Sequence, residues 1–457
     1  MGLKPKRGKR LELEIEALDS KGQGVARMGE YTVRVRGALP GDRLIVRIGR
    51  VRHGRRQAEA RREAVLQTEV DRIPARCCHF GTCGGCLWQD VSYETQVRLK
   101  QELVDRCLKE AGIDVALDTP LLAEHPFFYR NKMEFSFGIS RENRVDLGLH
   151  IPGRFDRIFD LEACHLQSER SNRIVDWIRR FVRQRNLSAY HLNRHEGLMR
   201  FLTVREGKQT GETMVILTTS GEDLPGAEAL GEALMQAFPE IKSVVHSINR
   251  RKAQVAVGDE EIVIAGSPAV QEKLGNFVFE ISPSSFFQPN TLQSEQLYRR
   301  VVELIDPRPE DRALDVYCGT GGISLFLSER VGQVVGIEVA ESAVQDAVRN
   351  SANNGVDNCR FISGAAEQIL HQLKVQGEHF DVAVTDPPRP GMHLKALQAL
   401  AELRPNRIVY VSCNPQVLGA DLKRLQAAGY RTDYLQLVDM LPHTPHCEVL
   451  ARLVYTG

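Results

Sequence analysis

Two side chains in the C-terminal third of the chain could carry chemistry together. Cys413 follows the apolar run RIVYVS, and Glu448 opens the apolar run EVLARL after a loop rich in proline and histidine. A thiolate is a strong nucleophile, and a carboxylate in partly apolar surroundings is a good proton acceptor. The pair therefore predicts covalent catalysis followed by proton removal. Two other interpretations stay open: Glu448 as a charge at a strand edge, and His443, His446 and Cys447 as metal ligands.

A glycine-rich turn lies between two apolar runs of the same region. LDVYCGTGG places Asp315 and Tyr317 before the glycines, and Glu338 ends the next run, VVGIEV, where an acidic side chain can accept hydrogen bonds from ribose hydroxyls. A nicotinamide enzyme would prefer G-x-G-x-x-G around a pyrophosphate, so the turn favours S-adenosylmethionine. The alternative interpretation is that the glycine-rich turn only closes the strand and binds no cofactor. Asp386 opens DPPRPGM at the end of a third run and could hold a base or the cofactor.

The target of such a site would be a pyrimidine. Uracil C5 is a poor nucleophile until a thiolate adds to C6, and this is a role for Cys413. Enzymes that make 5-methylcytidine usually place a second cysteine in the motif occupied here by DPPR. Amino-group methyltransferases resemble one another in carrying an aromatic residue where this chain has Arg389. Both observations favour uracil.

A second group of cysteines occurs near the N-terminus. Cys77, Cys83 and Cys86 have the spacing C-x5-C-x2-C, and Cys164 is the expected fourth ligand. Three local thiolates plus a distant one suit a four-iron four-sulfur cluster better than a zinc ribbon, which pairs two short knuckles. Cys78, beside Cys77, leaves the first ligand ambiguous, and a loop without metal is the remaining alternative.

The surrounding pattern predicts three domains. Residues 1–70 hold a basic tail and short alternating runs typical of an OB-like barrel that binds RNA, although a solvated basic face is an equal alternative. Residues 71–280 are predicted as a central α+β domain with the cysteine loop, and residues 281–457 as a Rossmann-like α/β domain. The net charge of +1 excludes no class of binding partner. No run looks like a membrane span or an export signal, so we expect a cytoplasmic protein.

Six motifs, in order along the chain, resemble those of the bacterial RNA uridine-5-methyltransferases. They are CCHFGTCGGC, SFFQPN, LDVYCGTGG, DPPRPG, VSCNP and HCEVLARL. The resemblance covers nearly the whole chain and is closest to the iron-sulfur branch that modifies 23S ribosomal RNA, with residues 10–67 similar to its TRAM barrel. It implies methylation of a uridine in RNA by an enzyme with no obligate protein partner. A transfer RNA substrate and a non-catalytic ribosome assembly factor are the alternatives.

The resemblance also implies roles for individual residues. Cys413 would be the nucleophile, Glu448 the base, and Cys77, Cys83, Cys86 and Cys164 the cluster ligands. The cofactor pocket would be lined by Gln288, Tyr317, Gly322, Glu338, Ala365 and Asp386. Two of these depart from the family pattern: Gly322 stands where some members have Asn, and Ala365 where some have a polar side chain. The tRNA branch is expected to lack both the barrel and the cysteine loop.

Overall fold

The computed structural model describes residues 4–221 and 223–457. The N-terminal part is a six-stranded sheet with the order β1-β5-β6-β4-β3-β2. Inward-facing side chains such as Val33 and Val35 are fully buried and form one core with residues from the other strands, so the sheet curves around its own interior. The strands are β1 (Arg10–Glu14), β2 (Ala17–Leu18), β3 (Gly24–Met28), β4 (Tyr31–Arg36), β5 (Arg43–Arg52) and β6 (Gln57–Gln67). The strands predicted for this region are confirmed.

The central region is built on a seven-stranded sheet with the order β10-β9-β8-β11-β12-β13-β14. Two elements precede it, α1 (Tyr93–Glu110) and β7 (Leu117–Leu121). The sheet and its helices comprise β8 (Lys132–Ile139), β9 (Val145–Ile151), β10 (Arg154–Asp160), α2 (Glu169–Gln184), β11 (Met199–Glu206), β12 (Thr213–Thr219), α3 (Ala227–Ala237), β13 (Ile241–Ile248) and β14 (Glu260–Gly266). A hairpin of β15 (Val270–Leu274) and β16 (Phe277–Ile281) leads into the C-terminal region.

The C-terminal region alternates strands and helices, as the sequence predicts. Its elements are α4 (Thr291–Ile305), β17 (Arg312–Val316), α5 (Gly322–Ser328), β18 (Gln333–Glu338), α6 (Glu341–Asn353), β19 (Cys359–Ser363), α7 (Ala366–Val375), β20 (Val382–Thr385), α8 (Leu394–Leu403), β21 (Arg407–Ser412), α9 (Pro415–Ala427), β22 (Tyr430–Val438) and β23 (Glu448–Tyr455). The sheet has the order β19-β18-β17-β20-β21-β23-β22-β7, in which β23 alone runs against its neighbours. The order reverses between β17 and β20, which is where such sheets bind ligands.

Two elements that precede residue 281 belong to this C-terminal sheet layer. The strand β7 extends the sheet by pairing with β22, and α1 packs through Val104 and Leu108 into the same core as Leu418 and Leu422 of α9. The chain therefore enters the C-terminal unit, leaves it to form the central sheet, and returns. The division at residues 70 and 280 stays a prediction, and the structure adds this early contribution to it.

Candidate active site

The two predicted catalytic residues lie at one edge of the C-terminal sheet. Cys413 directly follows β21, and Glu448 is the first residue of β23. Because β21 and β23 are antiparallel, with Ser412 opposite Val449, the start of one strand lies beside the end of the other. Asp386, directly after β20, reaches the same edge. The strand order thus brings together three side chains that are far apart in the sequence.

Burial controls the protonation of this group. It is the main reason that the pKa of Glu448 lies well above its usual value, and the neighbouring Asp386 raises it further. Burial, then Glu448 and Asp386, raises the pKa of the Cys413 thiol to about 11, while Arg389 opposes the change. Within the described residues, one carboxyl oxygen of Glu448 is buried without a hydrogen-bond partner. Once it is ionised, a carboxyl group in this state binds a proton strongly, which is the property that proton removal from a substrate requires.

The glycine-rich turn leaves its backbone open to a ligand. Tyr317 and Gly319 have φ angles of 68° and 54°, in the left-handed region, and a Cβ on Gly319 would have no atom within 4 Å. Beside the turn, the Glu338 carboxylate accepts hydrogen bonds from the amides of Gly319 (3.2 Å) and Ala340 (2.8 Å). These bonds fix the carboxylate at the end of β18, so that it can accept from ribose hydroxyls.

A buried carboxyl group lies beneath the turn. Asp315 accepts a hydrogen bond from the Ser324 hydroxyl at 2.6 Å, and its other oxygen has no partner within the described residues. Burial is the main cause that raises its pKa to about 7, and the charge of Glu338 adds to the effect. A buried polar atom without a partner is uncommon in native proteins. This free oxygen can accept a hydrogen bond from a ligand that carries donors.

The remaining predicted cofactor residues occupy the same edge. Gln288 donates a hydrogen bond from Nε2 to Asp386 Oδ2 at 3.2 Å. Ala365 follows β19 at the start of α7, where the amide of the preceding Gly364 binds the Glu338 carbonyl at 2.9 Å. The structure therefore places all six predicted residues at the carboxyl ends of neighbouring strands or in the segments beside them.

Tyr298 is a site residue that the sequence reasoning missed. A Cβ on Gly322 would lie 2.9 Å from the Tyr298 ring and hydroxyl, so this buried tyrosine of α4 occupies the space that a side chain at position 322 would need. Burial and the nearby Asp386, Asp315 and Glu448 raise the pKa of its hydroxyl. The signal available in the sequence was the departure at Gly322, but it did not indicate which residue fills the space.

The four cysteines expected to bind a cluster line one cavity. Cys77, Cys83, Cys86 and Cys164 surround it, whereas Cys78 is exposed and lies outside its lining. Burial is the main cause that raises the pKa of each of the four thiols, to about 12 for Cys86, and their mutual repulsion adds to it. In the part of the chain that the structure describes, no group of three or more His, Cys, Asp or Glu side chains is arranged to hold a single metal ion.

The predicted basic surface of the N-terminal sheet is partly neutralised. Arg10 and Arg47 both pair with Glu63, at 2.7 and 2.6 Å, and Arg34 pairs with Asp19 at 3.0 Å. Other arginines, such as Arg50, Arg55 and Arg61, are exposed. The surface is thus a mixture of ion pairs and exposed cations and not a uniformly basic face. Within residues 4–221 and 223–457, no helix is long and apolar enough to cross a membrane.

Comparison with known proteins defines the class of this chain. Residues 93–454 match the tRNA (Uracil-5-)-methyltransferase family, and residues 4–60 match the TRAM domain. The first match covers more than half of the chain. The protein therefore belongs to the tRNA (uracil-5-)-methyltransferase family and is an RNA methyltransferase.

Individual relatives agree with this assignment. The chain is 36% identical over 453 residues to an uncharacterized RNA methyltransferase of Clostridium tetani, covering 99% of this chain and 98% of the relative. It is 41% identical over 440 residues to one of Chlorobaculum tepidum, covering 92% and 90%. The solved tRNA (uracil-54, C5)-methyltransferase of Pyrococcus abyssi, in complex with S-adenosyl-L-homocysteine, is 29% identical with a TM-score of 0.78, covering 97% of this chain and all of that one.

Proposed function

We propose that the protein transfers a methyl group from S-adenosylmethionine to C5 of a uridine in RNA, through a transient bond between Cys413 and C6 of uracil. The observation that carries the proposal is the position of Cys413 beside Glu448, a buried carboxyl with an unpaired oxygen, at the sheet edge that also bears the glycine-rich turn. A nucleophile, a proton acceptor and a nucleotide pocket at one edge are the three parts that this reaction requires.

The pocket residues fit S-adenosylmethionine. The open space beside Gly319 admits a ligand, the Glu338 carboxylate accepts from ribose hydroxyls, and the free oxygen of Asp315 accepts from a donor. Bound there, the cofactor would supply an electrophilic methyl group. The residues that would hold it are Gln288, Tyr317, Gly322, Glu338, Ala365 and Asp386.

The protein side chains account for every proton and electron pair that moves on the uracil ring. The target uridine leaves its stack and enters the site, and Cys413 and Glu448 lose their protons to solvent. The Cys413 thiolate then adds to C6. The displaced electron pair makes C5 nucleophilic, so that C5 takes the methyl group. Glu448 then accepts the C5 proton, and the electron pair of that C–H bond restores the C5–C6 double bond while the bond to sulfur breaks. Cys413 leaves as a thiolate and the product is 5-methyluridine.

The cysteine loop is proposed to hold a four-iron four-sulfur cluster. Four thiols around one cavity provide a suitable donor set, and a cluster takes one thiolate for each iron. Because Cys78 lies outside the cavity, Cys77 is the better candidate for the first ligand. No step of the methylation uses this group.

The first candidate substrate is 23S ribosomal RNA, because the motifs resemble those of enzymes that modify it. A ribosomal RNA substrate implies a reaction in the cytoplasm. Transfer RNA is the second candidate, and the Pyrococcus abyssi enzyme favours it. That match covers 97% of the 457 residues, which leaves about 14, too few to hold either the N-terminal sheet or the cysteine-loop region. The expectation that tRNA enzymes lack these parts therefore loses its support, and they do not discriminate between the two RNAs.

Nucleoside mass spectrometry tests the function and the substrate together. The protein is incubated with S-adenosylmethionine and with unmodified 23S rRNA or tRNA, and each RNA is digested. We expect 5-methyluridine in one of them, none with Cys413→Ser, and normal product with Cys359→Ser, another half-buried cysteine of the same sheet. Finding 5-methylcytidine, or unchanged product with Cys413→Ser, would contradict the proposal. RNA binding without methylation by the wild type would support the assembly-factor alternative.

A further inference from the structure

The loop that leads to Glu448 is held in place by polar contacts with residues outside it. We call residues 439–447, between β22 and β23, the base loop. Each of its first five residues bonds to a residue outside the loop. The contacts are Lys100 Nζ to Asp439 Oδ1 (2.5 Å) and to the Leu441 carbonyl (3.1 Å), Asn290 Nδ2 to the Met440 carbonyl (3.2 Å), the Tyr129 hydroxyl to the Pro442 carbonyl (3.2 Å), and Gln96 to His443.

His443 is the centre of this set. Its amide donates to Gln96 Oε1 at 2.7 Å, and Gln96 Nε2 lies 3.2 Å from its ring Nδ1. Its carbonyl accepts from the amides of Leu87 at 2.9 Å and Trp88 at 3.1 Å. The φ angle of His443 is 65°, a left-handed conformation that costs a non-glycine residue on the order of 1 kcal/mol. Such a conformation persists only when its surroundings impose it.

Helix α1 supplies the strongest of these supports. Gln96 and Lys100 are four residues apart, so they lie on one face of the helix, and both are buried against the base loop. The side chains of Lys100 and Asp439 are both fully buried. A buried ion pair adds little net stability compared with apolar side chains, but it specifies one arrangement of the groups that it joins. Its presence here is best explained by a need to fix the base loop.

The cysteine loop supplies the other support. Leu87 and Trp88, whose amides hold the His443 carbonyl, directly follow Cys86 in the chain. Cys86 lines the proposed cluster cavity. The cysteine loop is thus connected to the loop that precedes the proton acceptor by two residues, Leu87 and Trp88, and their two hydrogen bonds.

From these contacts we infer that Gln96 and Lys100 are positioning residues for Glu448, and that the cysteine loop completes the same support. The inference rests on the proposed role of Glu448 as the base. Its consequence is selective: loss of the support slows removal of the C5 proton, whereas addition of Cys413 and methyl transfer, which do not use the base loop, continue.

The test separates these steps in the variant Gln96→Met, which keeps the length of the side chain and removes its hydrogen bonds. The substrate is RNA labelled with tritium at uridine C5, and the readouts are tritium release and the amount of methylated protein–RNA adduct that survives denaturation. A displacement of a reacting group by about 1 Å costs on the order of 100-fold, so we expect tritium release to fall about 10- to 100-fold and the adduct to accumulate. Gln101→Met, on the same helix, is the matched control.

The alternative outcomes are distinct. Equal loss of adduct formation and tritium release in Gln96→Met would show a general structural role and overturn the inference, as would no change in either. The variant Glu448→Gln serves as reference for the proposed function. If it too fails to accumulate adduct, the assignment of the base is wrong, whatever Gln96 does.

Hydrogen exchange gives a readout that does not depend on activity. In the wild-type protein, peptides from residues 439–447 should exchange slowly. In Cys86→Ser these peptides should exchange faster, while peptides from α3, in the central region, should be unchanged. Unchanged exchange of the base loop in Cys86→Ser would remove the cysteine loop from the proposed support.

Discussion

The reactivity of Cys413 in the absence of RNA follows from its surroundings. Burial and the carboxyl groups of Glu448 and Asp386 raise its pKa to about 11, compared with about 8.5 for an ordinary thiol. At pH 8 its thiolate fraction is then lower than that of an ordinary thiol by roughly 250-fold. A thiolate of higher pKa is intrinsically more nucleophilic, by roughly 13-fold for this difference. We therefore expect Cys413 to react about 20-fold more slowly than a free thiol.

Alkylation by iodoacetamide, followed by mass spectrometry of the Cys413 peptide, measures this directly. A short unstructured peptide with one cysteine, in the same tube, is the reference, and its rate should level off above about pH 9. The rate of Cys413 should still rise about tenfold between pH 8.5 and 9.5, because its thiol remains mostly protonated there. A Cys413 rate that levels off by pH 8.5, or exceeds the reference at pH 8, would show that the surroundings favour the thiolate and would refute the reasoning. Confirmation would mean that the thiol loses its proton only when substrate binds.

Three other perturbations have defined outcomes. Removing the hydroxyl in Tyr298→Phe should weaken binding of S-adenosylhomocysteine by about 2- to 12-fold in calorimetry, the range for one hydrogen bond. Gly322→Ala should weaken binding more, because the new Cβ meets the Tyr298 ring. Equal affinity in the wild type and both variants would exclude Tyr298 from the pocket. Lys100→Met leaves a buried charge on its partner and should lower the free energy of unfolding by about 3–5 kcal/mol in urea titration, with a loss below about 1 kcal/mol contradicting the burial of the pair. Cys164→Ser should reduce the iron and sulfide content of anaerobically purified protein, and Cys359→Ser should not; equal contents would remove Cys164 from the ligand set.

The parts of the site that sequence reasoning could place are those set by local pattern. Asp386 and Cys413 follow apolar runs, and parallel strands end at one edge of their sheet, so their proximity could be predicted. Glu448 is different, because β23 inserts antiparallel between β21 and β22. No local pattern shows that insertion, so the sequence could suggest Glu448 as a proton acceptor but could not predict its position beside Cys413.

Other features depend on contacts between distant parts of the chain. Gln96 and Lys100 meet partners 347 and 339 residues away, and their helix reads in the sequence as an ordinary amphipathic element. Similarly, β7 pairs with β22 although its sequence lies within the predicted central domain. Such long-range pairing is decided by the packing of the whole fold, which local periodicity does not contain.

The central claim is that Cys413 forms a bond to uracil during methylation, and trapping that bond tests it most directly. The protein is incubated with S-adenosylmethionine and RNA containing 5-fluorouridine, whose fluorine prevents the final proton removal. Mass spectrometry should then detect a protein–RNA adduct carrying one methyl group, which persists in Cys359→Ser and is absent in Cys413→Ser. The absence of an adduct with any substrate RNA, or an adduct that persists in Cys413→Ser, would contradict the account.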